Sequence, residues 1–302
     1  MFFVSLPQFK QLMNLEFKRI NNIIKIQKNT QVVNFSVKKN ENYFANGILT
    51  HNCYMKRHKP EGLDIAKNIG DILSAINSHS WFAQVEKPNQ THEKFITYDI
   101  SCNEDYALHL KYHKWEDVFN FFKEHPLAMG SFATKYVNKE LLNYNPDGKI
   151  RIRFSLMPQK YSNLLEPHTS LIIDRIRAIN DFIEAGYDVH INFSPVIVEN
   201  GWLEEYRMLF EGVDALVDIK YKDRVKAEVI FLTHNKDKHK YNLANQLSGE
   251  ELLWKPHIQE DKVSQYGGDN LRYVASFKSI YINEFKELHN SIIPWNTIRY
   301  IF

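Results

Sequence analysis

The chain has 302 residues, 44% of them hydrophobic and 25% charged, with a formal net charge of +2. This is the composition of a soluble globular protein with enough apolar content for one large domain or two smaller ones. It excludes a membrane-spanning helix, because there is no run of about 18 apolar residues, and a disulfide scaffold, because the only cysteines are Cys53 and Cys102. A charge this small gives little support to a dedicated nucleic-acid binder, which concentrates a basic face. The opening MFFVSLPQFK is too short and poorly flanked for a secretory h-region. Two reduced thiols in the cytoplasm are therefore expected, with a small buried core residue as the ordinary fate of each.

Residues 1–22 mix apolar and basic side chains at loosely helical spacing without a clear cap. From Ile23 to Asn52 short β-type runs take over: Ile23–Ile26, Val32–Val37, Tyr43–Ala45 and Ile48-Leu49, separated by polar turns. Such a piece is too short to bury a core alone. After Cys53 the rhythm is α/β. A helix is expected over Leu63–Asn77 and a strand over Phe95–Ser101. Trp115, Val118, Phe119 and Phe122 mark an amphipathic helix, and strands follow at Ala128–Thr134 and Lys149–Ser155. Ile172, Ile176, Ile179 and Ile183 line one helical face, with Gly186 as its stop and an apolar strand after it. A strand over Ala227–Thr233 precedes a polar segment, and a last helix leads into a terminal strand, Ile298–Phe302. Alternating strands and helices imply a parallel sheet or barrel, with chemistry at the C-terminal ends of the strands.

Two stretches carry chemistry. In His51-Asn52-Cys53 the Asn side chain can attack its own backbone carbonyl, forming a succinimide and cutting the chain. A neighbouring imidazole assists by proton transfer, and the thiol that follows can accept an acyl group beforehand. A bare HNC tripeptide means little. The surrounding VVNFSVKKNENYFANGILTHNC closely resembles the C-terminal end of inteins in order and spacing. The resemblance implies a small all-β Hint segment, residues 1–52, in which His51 assists, Asn52 cyclises and Cys53 is the first residue downstream. Many inteins carry His where this chain has Glu41. The opening Cys or Ser and the Thr-x-x-His block of an intein are missing, so splicing in cis is excluded. Splicing in trans requires a separate upstream chain bearing the intein N-terminal half.

From Cys53 onward, CYM, FITYDISCNED, IRIRFSLMPQKYSNLLEPHTS, AGYDVHINFSPVIVENGWLEEYRMLF and IRYIF resemble, in that order, the spore photoproduct lyase family of radical SAM enzymes. The resemblance implies that residues 53–302 form an α/β, partial (β/α)6 TIM-like barrel lacking its N-terminal part. It also implies a [4Fe–4S] cluster on a C-x3-C-x2-C loop, S-adenosyl-L-methionine as cofactor and a thymine photoproduct in DNA as substrate. Cys53, followed by Tyr54, matches the third cluster cysteine; the first two would come from the upstream chain. Thiolates suit such a cluster, and three ligands leave one iron open. Cys102 matches the cysteine that donates a hydrogen atom to the substrate radical, although Asn103 and Glu104 depart from the family pattern. Tyr54 matches a radical-relay position or packs beside the cluster. Lys135, Ser155 and Asp105 match cofactor contacts or else are solvated strand ends. Trp202 and Tyr206 read as helix packing, and Arg272-Tyr273 as a DNA contact. His234 and His239, in HNKDKHK, read as a solvated loop, with a metal or phosphate contact as the alternative. Two other functions stay open: the same radical chemistry on another substrate, and an inactive fragment lacking two cluster cysteines.

Overall fold

The computed structural model describes residues 42–45, 48–51, 68–82, 92–101, 105–263 and 269–302, the first two stretches as backbone only. Every described residue belongs to one compact unit, residues 33–302. Strands β1, Asn42–Ala45, and β2, Ile48–His51, form an antiparallel hairpin with Asn42 opposite His51 and Ala45 opposite Ile48. They flank Asn46-Gly47 in the sequence, a dipeptide that two-residue hairpin connections favour. The rest of the expected all-β segment lies outside the described residues.

Helix α1, Ile69–Phe82, ends five residues beyond the expected Asn77. No Gly or Pro follows Asn77 until Pro88, so nothing in the local sequence halts the helix there. Six parallel strands then form one curled sheet, in the order β11-β7-β6-β5-β4-β3. They are β3, Ile96–Ser101; β4, Ala128–Thr134; β5, Ile150–Leu156; β6, Asp188–Val196; β7, Lys226–Phe231; and β11, Thr297–Ile301. Sequential strands are spatial neighbours, joined by helical crossovers, as βαβ connections require.

The outer face is apolar. Helix α2, Trp115–Glu124, buries Val118, Phe119 and Phe122. After the short α3, Gln159–Leu165, helix α4, Ile172–Glu184, buries Ile172, Ile176, Ile179 and Ile183, the stripe expected from its sequence. Gly186 ends α4 with φ +95, a left-handed conformation that glycine adopts without penalty. Helix α5, Trp202–Leu216, and helix α8, Ala275–Ile292, cover β6 and β7. There Phe193, Phe210 and Phe285 meet edge to face with centroids 5.3–5.7 Å apart, a preferred aromatic arrangement. Trp202 and Tyr206 are packed in this layer, as the sequence indicated.

The polar stretch after Thr233 is ordered structure, not loop. The expected strand Ala227–Thr233 divides at Leu232: β7 stays in the main sheet while β8, Thr233–Asn235, joins β9, Gln259–Val263, and β10, Asp269–Tyr273. These form an antiparallel sheet in the order β8-β10-β9. Helices α6, Lys236–Ala244, and α7, Glu250–Leu253, lie between β8 and β9 in sequence. Strands of three to five residues rich in charge show no apolar alternation, which is why periodicity misses them.

Candidate active site at the strand ends

Four expected site residues, His51, Asn52, Cys53 and Tyr54, fall at or beyond the end of β2; His51 is described as backbone and the other three lie outside the described residues. Cys102 also lies outside them, directly after Ser101, the last residue of β3. Asp105 is tied by its carboxylate to the end of β4. Oδ1 accepts hydrogen bonds from the Thr134 hydroxyl at 2.6 Å and the Leu108 amide at 3.1 Å. Oδ2 accepts one from the Lys135 amide at 2.5 Å. Desolvation raises the Asp105 pKa, and these donors oppose that rise. With both oxygens engaged, Asp105 is fixed against the end of β4.

Lys135 follows β4 and its ammonium lies 3.1 Å from Glu166 Oε1. Burial disfavours ionised Glu166, but Lys135 and Arg175 outweigh it and hold the pKa below the usual carboxylate range. Arg175, on α4, is completely buried. Its guanidinium donates to the Ser155 carbonyl at 2.8 Å, Glu166 Oε2 at 2.9 Å, Thr169 Oγ1 at 2.7 Å, Ser162 Oγ at 3.3 Å and the Ser170 carbonyl at 2.9 Å. Ser170 in turn donates its amide to the Lys135 carbonyl. One buried fork thus locks the ends of β4 and β5, so that Lys135 and Ser155 sit on one rim with the end of β3. Neither Arg175 nor Glu166 stood out in the sequence. Arg175 is hidden within a helix chosen for its isoleucines, and Glu166 within the EPHTS turn.

Below the rim, the inner face of the sheet is polar and charged, which the sequence reading also missed. Arg153 on β5 bonds Asp99 of β3 at 2.6 Å and Glu228 of β7 at 3.2 Å. Glu228 also accepts from Arg299 at 3.1 Å and from the Tyr300 hydroxyl at 3.2 Å, both on β11. The strict alternation in IRIRFS and DVHINFS, on strands buried on both faces, was the available signal.

His190 on β6 sits in this layer. Its Nδ1 faces Arg299 Nη1 at 3.3 Å and its Nε2 faces Asp188 Oδ1 at 3.2 Å, while Arg151 bonds the other Asp188 oxygen at 2.6 Å. Arg299 donates only, so the ring is neutral with its proton on Nε2. Desolvation is the main cause that lowers the His190 pKa from 6.5 to about 4, Asp188 opposing and the two arginines assisting. A histidine kept neutral on folding stabilises fully above its unfolded pKa, and that stability drains as pH falls from about 6.5 to about 4. The loss is expected to be on the order of 3 kcal/mol. His190→Gln, which cannot titrate, should flatten denaturant-measured stability across that window; an unchanged pH slope would refute the assignment.

Elsewhere the sequence-based expectations change. Tyr273 is buried and its hydroxyl accepts from the Val198 amide at 2.9 Å, so it is core and not an exposed contact. Arg272 is paired across the strands with Glu260 at 2.9 Å. A cleft of about 550 Å³ is lined by residues such as Glu199, Trp202, Lys255 and Tyr281 and shares none with the rim. No helix among the described residues is long and apolar enough to cross a membrane.

The curled parallel sheet matches solved structures of spore photoproduct lyase. A mutant of that protein aligns with a TM-score of 0.70 at 19% identity, covering 83% of this chain and 72% of its own. Spore photoproduct lyase complexed with dinucleoside spore photoproduct aligns at 0.67 and 20% identity, covering 79% and 68%. A further mutant, with bound AdoMet and dinucleoside spore photoproduct, aligns at 0.68 and 19% identity. At these identities the likeness concerns the fold. In sequence, the spore photoproduct lyase of Bacillus subtilis (strain 168) is 28% identical over 195 residues, 62% of this chain and 54% of the relative. That of Geobacillus sp. (strain Y412MC61) is 29% identical over 186 residues, 57% and 51%. The chain spans about half the length of the curated relatives it matches. The sequence model of spore photoproduct lyase matches residues 20–302. It therefore runs through most of the segment assigned above to an intein and gives that assignment no support. With nearly the whole chain matched and the parallel half-barrel in place, the chain belongs to the spore photoproduct lyase family.

Proposed function

We propose that this chain is the C-terminal majority of a radical SAM enzyme that repairs a thymine photoproduct in DNA. The observation that carries the proposal is the rim: the end of β3 at Ser101 and the residues Lys135 and Ser155 lie at one end of the parallel sheet, where Asp105 and Arg175 hold the ends of β4 and β5. Lys135 and Ser155 fit the cofactor contacts of the family, the ammonium offering a donor and the β5 end a rigid seat. Bound S-adenosyl-L-methionine would supply the radical chemistry. Cys102 would donate the hydrogen atom of its S–H bond to a carbon radical on the thymine, forming C–H and leaving a thiyl. Reaching a base in a duplex requires unstacking it.

The cluster does not fit this chain alone. Three thiolates are needed, the sequence contains two cysteines, and Cys102 already has the donor role. We therefore assign Cys53 as one ligand and the other two to a separate upstream chain that also bears the intein N-terminal half. His51 and Asn52 then release residues 1–52 and leave Cys53 joined to that chain. The start of the family match at residue 20 favours a second reading, in which the segment before Cys53 is part of the enzyme and is never excised.

Co-expression with such an upstream partner distinguishes the two. Splicing yields a joined product lacking residues 1–52, and Asn52→Ala abolishes it; no joined product from the intact pair supports the second reading. The intact or joined protein, reconstituted with iron, sulfide and S-adenosyl-L-methionine, should restore thymine in irradiated DNA. Cys102→Ala should lose that activity. Failure with Cys102 intact would reject the repair assignment and leave another substrate of the same chemistry.

A further inference from the structure

His234 and His239 lie in the polar heptad that the sequence presents as a solvated loop. The structure places them otherwise. His234, on β8, is buried and its Nε2 is 2.9 Å from Glu250 Oε1. His239, on α6, brings Nδ1 to 2.6 Å from the same oxygen. Glu250 opens α7 after Gly249, whose φ of +76 turns the chain so that the carboxylate faces back towards the histidines. Its other oxygen, Oε2, accepts from the Asn242 amide at 2.5 Å. Trp254 stacks on the His239 ring with centroids 3.7 Å apart and planes 5° from parallel. The arrangement therefore has two imidazole nitrogens converging on one carboxylate oxygen, with the second oxygen and one ring held by outer partners.

We propose that His234, His239 and Glu250 bind a zinc-class divalent transition-metal ion. The three ligand atoms lie within 4.8 Å of one another. Two neutral imidazoles and a carboxylate are a donor set suited to zinc, with ligand bonds of about 2.0–2.2 Å. Tetrahedral coordination places such donors about 3.3 Å apart, so the present contacts open by roughly half an ångström to admit the ion. In the present contacts His234 Nε2 and His239 Nδ1 donate to the carboxylate oxygen. Binding the ion moves each ring's proton to its other nitrogen, Nδ1 of His234 and Nε2 of His239, and turns the freed lone pair to the metal. The Asn242 amide on Glu250 and the Trp254 face on His239 are the orienting contacts that metal ligands require. Water takes the fourth position on the side of His239, the more exposed ligand. An anion is excluded, because Glu250 is at the centre and the nearby Lys236 is 2.7 Å from Asp261.

The ion would have a structural task. His234 pairs with Leu271 of β10, and Thr233 pairs with Arg272. A cation joining β8 to α6 and α7 thus braces the small sheet that presents Arg272. The site lies outside the proposed active-site rim, and its occupancy is independent of the repair reading.

The test uses the full chain, freed of metal by chelation, with Cys53 and Cys102 changed to serine to remove competing thiolates. Titration with Zn²⁺ should show one equivalent bound, and Co²⁺ should give the visible absorption of a four-coordinate ion. At a hundredfold excess over Kd, Zn²⁺ should raise Tm by about 4 °C. His239→Ala and, separately, Glu250→Gln should each weaken binding at least tenfold; if one fails to fold, the other carries the test. No uptake and no Tm shift in the folded parent would show a closed hydrogen-bonded triad and overturn the proposal. So would one equivalent that survives both substitutions.

Discussion

Replacing Arg175 by methionine should lower the unfolding free energy by about 3–5 kcal/mol, the cost of leaving a buried charge without its partner. Arg175 is wholly buried and makes five hydrogen bonds, one of them to Glu166, itself only 3% exposed at the side chain. Methionine fills much of the aliphatic volume but leaves Glu166 with Lys135 and the Ser162 hydroxyl only, and strips donors from the carbonyls of Ser155 and Ser170. Arg175→Lys keeps the charge and loses the fork, so it should recover only part of the loss. Adding Glu166→Gln to Arg175→Met should also restore part, since it removes the uncompensated charge. Denaturant unfolding with constant m decides the matter. A loss under about 1 kcal/mol, or strict additivity of the pair, would show that the fork does not hold the rim.

The fold was largely legible because its outer layer obeys solvent-driven periodicity. The stripe through Ile172, Ile176, Ile179 and Ile183 and the aromatic face through Phe119 and Phe122 mark helices that bury those residues against the sheet. The inner layer was not legible in the same way. Asp99, Arg153, Glu228 and Arg299 come from four strands, and only the sheet order shows that their charges cancel. No window of sequence contains a partner. His234 and Glu250 are 16 residues apart and meet through the turn at Gly249, so HNKDKHK by itself shows no ligand geometry. The rim was partly legible through motif: Lys135, Ser155 and Asp105 fall at strand ends, while the groups that hold them, Arg175 and Glu166, are visible only in three dimensions.

Glu228→Met should be the most damaging single change in the inner layer, again by about 3–5 kcal/mol. Glu228 is 1% exposed and serves Arg153, Arg299 and Tyr300 at once. In the native layer Asp99 and Glu228 face Arg153 and Arg299. Removing Glu228 takes away the carboxylate that Arg153 and Arg299 share, leaving Asp99 on Arg153 and the field of Asp188 on Arg299. Burial pushes the Arg299 pKa down to about 10, with Arg151 adding to that and Glu228 among the groups that oppose it. Arg299 therefore suffers most when Glu228 is lost, since His190 is neutral and Arg151 repels it. The triple variant Glu228→Met, Arg299→Met, Tyr300→Phe removes the stranded charge together with its partners. It should regain most of the loss, because replacing a whole buried ionic group with apolar side chains of similar volume is often neutral. Arg153 then keeps its 2.6 Å bond to Asp99. A triple variant as unstable as Glu228→Met would mean that packing across β7 and β11, and not charge balance, sets the cost.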